Sequence, residues 1–111
     1  MSVRSGYQQG DVILEVVDRV PGDARELPPG PRGHVLAEGE STGHAHALEA
    51  TPHVRLYERD GVLYLRVEPE GGPAELRHEE HQTQVLPPGA YRVGLVQTVD
   101  PFTRMRRAVL D

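Results

Sequence analysis

Cysteine is absent from this chain, which excludes disulfides and every thiolate metal site. A metal ion held here must take its ligands from histidine, aspartate or glutamate. Lysine, asparagine and tryptophan are missing as well, so all twelve basic residues are arginine, a bias that a GC-rich genome explains. Aromatic residues make up only 5% of the chain. So few large side chains make a poor container for a large substrate, which favours a small-molecule ligand or a site shared between subunits. No run approaches the roughly 18 apolar residues of a membrane span. The opening MSVRSGYQQGD has no apolar segment of the signal-peptide kind, so a cytoplasmic protein with no membrane partner is expected.

Positive charge is also in short supply. The formal net charge is −5, which argues against nucleic acid as a partner, because phosphate binding needs clustered cations. Arg104, Arg106 and Arg107 form a single short basic cluster, better suited to a solvated face or an interface.

What is present is turn chemistry and β pattern. Ten prolines and twelve glycines punctuate 111 residues, a length that suits one domain spanning 1–111 with a single modest core. DVILEVV (Asp11 to Val17) is β-branched with apolar residues on both faces and predicts a central strand. Val20 to Gly33 is broken by proline too often for regular structure and is the only loop long enough to act as a lid. HVLAEGE predicts a short strand running into GHAH. HVRLYERDGVLYLRV predicts a hairpin, with Asp60-Gly61 supplying the two positive-φ turn positions. AELRHEEHQTQVL predicts one long strand, or two with a bulge between. Asp100-Pro101, followed by Phe102, Met105 and Val109 at helical spacing, predicts a short C-terminal helix. The expected fold is all-β, a small barrel or sandwich of about seven short strands closed by that helix.

Four of the six histidines lie in two clusters, GHAH (Gly43 to His46) and HEEH (His78 to His81). On a strand, His44 and His46 point to the same face, and Gly43 and the flanking alanines leave room for an ion. His78 and His81 are three apart and would face opposite sides of a regular strand, unless a bulge or turn falls between them. On a regular strand His78 shares a face with Glu80, and Glu79 shares one with His81. One such pair joining His44 and His46 makes three nitrogens and an oxygen, a set suited to a divalent transition metal: zinc first, then nickel, manganese or iron. Glu49, three residues beyond His46, is a further candidate ligand. His34 and His53 open strands with no local partner and read as surface or packing residues.

Three functions fit these residues. The first is a metal-binding domain built on His44, His46, His78, His81 and Glu49, in which Glu79 or Glu80 would act as base if the site is catalytic. The second is a non-enzymatic assembly module whose histidine clusters lie at subunit interfaces. The third is a metal-free His/Glu acid–base enzyme. A homo-oligomer is expected, since a small β domain has edge strands to cover and lysine, the usual edge guard, is missing.

GESTGHAHALEA resembles part of the first cupin motif, with Gly39, His44, His46 and Glu49 in its glycine, H-x-H and glutamate places. Both flanking gaps are one residue short, and His81 precedes rather than follows the Pro87-Pro88-Gly89 turn. The chain as a whole is more similar to a family of small bacterial and phage-associated proteins of unknown activity. These share QGDV (Gln9 to Val12), GE-x-TGHAH (Gly39 to His46), HEEH and LP-x-G-x-YRV (Leu86 to Val93). That resemblance supports the choice of residues and implies no activity.

Overall fold

A computed structural model describes residues 6–39, 42–99 and 106–108. They form β1 (Gly6–Gln9), β2 (Val12–Val17), β3 (Arg25–Leu27), β4 (His34–Glu38), β5 (Ala45–Leu48), β6 (Val54–Arg59), β7 (Val62–Val67), β8 (Ala74–Arg77), β9 (Gln84–Leu86), β10 (Gly89–Leu95), β11 (Gln97–Val99) and β12 (Arg106–Ala108). One 3-10 turn, Pro69–Gly71, separates β7 from β8. The fold is all-β, as the alternating pattern requires, with more and shorter strands than that pattern resolves.

Six strands make one antiparallel sheet in the order β1-β2-β10-β7-β6-β3, and four make a second in the order β4-β5-β8-β9. β2 lies inside the first sheet between β1 and β10, as its β-branched run predicts. The β6–β7 hairpin turns at Asp60-Gly61, whose φ angles of 52° and 80° are the positive values such a turn demands. The two sheets share one core. Val12, Leu14, Leu56, Leu65, Val67 and Tyr91 come from the first, and Leu36, Leu48, Leu76 and Leu86 from the second. This is a sandwich, its inner faces filled by every second residue of each strand.

Two local features place the site. Gly30 and Gly33 exchange backbone hydrogen bonds at 3.0 Å, closing the proline-rich loop immediately before β4. Gly33 has φ of 86°, and a Cβ there would lie 2.2 Å from the Leu48 carbonyl oxygen, so only glycine allows β4 to start this close to β5. His34 then pairs with Leu48, and a bulge between Val35 and Ala37 resets the register so that His46 lies opposite Ala37.

The expected C-terminal helix is not seen. Arg106–Ala108 pairs antiparallel with Gln97–Val99, and backbone groups engaged in a cross-strand ladder cannot also make the bonds of a helix. Asp100, Phe102, Met105 and Val109 lie outside the described residues. Among the described residues no helix is long and apolar enough to cross a membrane.

Candidate metal centre

His46 stands in phase with Leu48 on β5, so it shares the inner face with the core and is fully buried. The chain reaches it through a tight loop. The Gly43 amide donates to the Gly39 carbonyl at 3.0 Å, and the Gly39 amide donates to the His44 carbonyl at 2.9 Å. Gly43 has φ of 74°, which its lack of a side chain permits. The rings of His44 and His46 both lie against His78, with centroids 5.5 and 4.3 Å away, so the two imidazoles of GHAH address one place.

HEEH is neither a continuous strand nor a bulge. His78 to His81 form the bend that joins β8 to β9. The bend cancels the alternation that would have separated the two histidines, and their rings lie 4.4 Å apart. His81 also stacks near His46 at 5.6 Å, with the planes 15° apart. Nitrogens of His46, His78 and His81 thus come within 4.8 Å of one another, and a second set of that kind joins His44, His78 and Glu79. The two segments are spatial neighbours within one chain.

The carboxylates divide by task. Glu79 Oε1 accepts from the Ala45 amide at 3.0 Å, and Oε2 accepts from Arg32 Nη2 at 3.0 Å. The Ala45 hydrogen bond, helped by His44 and Arg32, holds this carboxyl below its ordinary pKa. A carboxylate stabilised in this way is a weak base and a good clamp. Glu80 is exposed, with Oε2 3.8 Å from His44 Nδ1, while its amide donates to His78 Nδ1 at 3.0 Å. Glu49 lies just past the end of β5, an odd three residues beyond His46, and is exposed. It belongs to neither converging set.

His34 and His53 lie outside these sets. His34 is buried at 4% exposure, and burial lowers its pKa against the opposing effects of the Val54 backbone and Glu26. His53 Nδ1 lies 2.9 Å from Thr51 Oγ1, and Gly71 packs directly on its ring. Tyr91, beside Tyr7 in the core, has its pKa pushed up to about 12 by burial, as a packing residue should.

Three residues of the site escaped the pattern reading. Arg32 anchors Glu79 and also approaches Glu38 at 3.4 Å. Ala45 contributes its amide. Gln9 lies 2.9 Å from His46 through Oε1 and donates from Nε2 to the Leu76 and Gln82 carbonyls, each at 2.8 Å. The one signal for Gln9 was its place in the QGDV block. Beside His78 and Glu79 a cavity of about 310 Å³ is lined also by Arg32, Ala45, Ala47 and Arg77.

Fold and site together define a two-sheet β domain with a half-buried histidine cluster at one end of its core. A family model matches residues 8–95, and the chain belongs to that family, described as Domain of unknown function (DUF8820). The match spans Gln9, GHAH and HEEH. No curated protein and no solved structure gives a significant match.

Proposed function

We propose that GHAH and HEEH form a site for one divalent transition metal, with His46, His78 and His81 as its ligands. The observation that carries this reading is the convergence of three imidazoles, from a strand and a separate bend, to within 4.8 Å of one another, with His46 fully buried. Packing two further polar rings against a fully buried His46 costs desolvation that an apolar trio would avoid, and a shared ion would offset that cost. Zinc suits three neutral nitrogens best, with nickel, manganese and iron as further occupants. Three protein ligands leave a coordination position for water or substrate, and a groove of about 310 Å³ opens beside His78, the one ligand that lines it. His44 stands next to this trio as the reserve ligand, with Glu79 fastening the bend.

A metal-free acid–base role draws less support, because Glu79 has both oxygens engaged. Cupin chemistry is not part of the proposal, since Glu49 is exposed and belongs to neither converging set.

Thermal melts of untagged protein with zinc, nickel or manganese, against chelator, test the reading. Binding to the folded state alone stabilises it by about 2.7 kcal/mol at a hundredfold excess over Kd. The shift should vanish in His46→Ala and His81→Ala and persist in His34→Ala, even though that variant starts from a lower midpoint. The absence of a shift with every metal would sink the proposal, as would a shift that survives both cluster variants.

A further inference from the structure

Gln9 is the last residue of β1 and is 2% exposed, a burial that a side-chain amide tolerates only when its polar atoms are satisfied. Its Nε2 has two hydrogens, and both are placed. One goes to the Leu76 carbonyl in β8 and the other to the Gln82 carbonyl just beyond HEEH, each at 2.8 Å. Exchanging the amide nitrogen and oxygen would set Oε1 against two carbonyl oxygens, none of which has a proton. The orientation is therefore forced, and Oε1 faces His46 Nδ1 at 2.9 Å. An amide oxygen can only accept. His46 Nδ1 must then carry the hydrogen, and the lone pair of the neutral ring is left on Nε2.

We infer that Gln9 is the positioning residue of the histidine cluster. It selects the His46 tautomer that presents Nε2 and ties the β8–β9 bend to β1. One side chain thereby joins the two halves of the site, because Leu76 and Gln82 bracket His78 and His81 in sequence. Metal-ligating imidazoles are commonly held in this way, with the ring nitrogen away from the ion donating to a fixed acceptor. The tautomer assignment stands on hydrogen bonding alone, whereas its use in orienting a ligand rests on the metal reading above.

The test has two arms. In the first, long-range ¹H–¹⁵N correlation spectra of metal-free wild-type protein at neutral pH report which ring nitrogen of His46 is protonated. Protonation at Nδ1 with a bare Nε2 is expected; the opposite tautomer, or an even mixture, overturns the assignment without reference to any metal. The second arm measures zinc affinity in wild type, Gln9→Met and Gln9→Glu. Gln9→Met fills the volume without the hydrogen bonds and should weaken zinc binding about ten- to a hundredfold, with the tautomer bias lost. Gln9→Glu keeps an acceptor for Nδ1–H but sets its other oxygen against the Leu76 and Gln82 carbonyls, so it should restore the tautomer bias and lose the tie to the bend. Equal zinc affinity in wild type and Gln9→Met overturns the positioning role. Wild-type protein that shows the expected tautomer but binds no zinc, nickel or manganese overturns the metal reading and leaves the tautomer assignment standing. If Gln9→Met does not fold, the wild-type spectrum still decides the first arm, and zinc-loaded wild type decides the second: the His46 Nδ1 proton should persist with zinc bound, and its loss would overturn the positioning role.

Discussion

Glu79 Oε1 accepts a hydrogen bond from the backbone amide of Ala45 at 3.0 Å, so the bend that carries two histidines is pinned to the strand that carries a third. Ala45 opens β5, one residue before His46. The same carboxylate reaches Arg32 in the proline-rich loop, which fastens that loop to the site from the other side. Distances among the imidazoles therefore depend on a residue that need not touch the ion.

Removing this clamp should loosen the site more than the fold. In Glu79→Ala the Ala45 amide loses its acceptor and should exchange with solvent faster, and the metal-induced rise in melting temperature should shrink. The metal-free midpoint should move little, since the carboxylate is exposed and contributes no core packing. Hydrogen exchange together with melts in zinc and in chelator reads both effects. An unchanged Ala45 exchange rate would show that the hydrogen bond does not persist in solution.

Gly33 should be the least replaceable glycine near the site. Its φ of 86° strains any L side chain, and the space a Cβ needs is filled by the Leu48 carbonyl. Gly33→Ala must either shift β4 away from β5 or carry the strain, at a cost of about 1–3 kcal/mol. Gly30→Ala is the control, because a Cβ there meets nothing within 4 Å. Urea denaturation of the pair checks the difference, and equal stabilities would mean that β4 enters by another path.

The β-strand content, the central place of Asp11 to Val17 and the Asp60-Gly61 hairpin could all be seen beforehand, because each follows from local periodicity or from turn chemistry. The spacing of His44 and His46 pointed to one shared face; both rings do lie against His78, but His44 precedes β5 and the two fall in separate converging groups. HEEH was harder. Nothing within it marks a bend, since it lacks glycine and proline, and the bend is held from outside by Ala45, Arg32 and Gln9. Gln9 and His46 are 37 positions apart, a separation no window of periodicity spans. The burial of His34 escaped notice for a similar reason, because it depends on pairing with Leu48 beyond a bulge. Of the segment read as helical after Asp100, the described part, Arg106–Ala108, pairs as a strand, which side-chain spacing alone does not reveal.

His34 should make metal-free stability fall in mild acid. Burial lowers its folded-state pKa below the ordinary 6.5, with the Val54 backbone and Glu26 opposing only in part. The unfolded chain therefore takes up the proton first. The contribution of His34 to stability is complete above about 6.5 and is lost as pH falls from there towards the depressed folded value. In His34→Leu that component is gone, so its stability should decline less steeply between about pH 7 and pH 5 than that of wild type. Denaturant titrations in chelator at several pH values make the comparison, and parallel slopes would remove His34 from the account.

The Glu80 amide should report the arrival of a metal. This N–H donates to His78 Nδ1 at 3.0 Å, which places the lone pair of the neutral ring on Nδ1 and its proton on Nε2. An ion can engage His78 in two ways. Bound at Nδ1, it takes the lone pair that the amide was using. Bound at Nε2, it displaces the ring proton, and the neutral ring then carries its hydrogen on Nδ1, facing the amide N–H. The Glu80 amide loses its acceptor by either route. Zinc should therefore shift the Glu80 amide resonance and speed its exchange, while the Gly61 amide, bonded to Glu58 at 2.9 Å in the distant hairpin, stays unchanged. A Glu80 amide that ignores bound zinc would remove His78 from the ligand set and overturn the three-imidazole site.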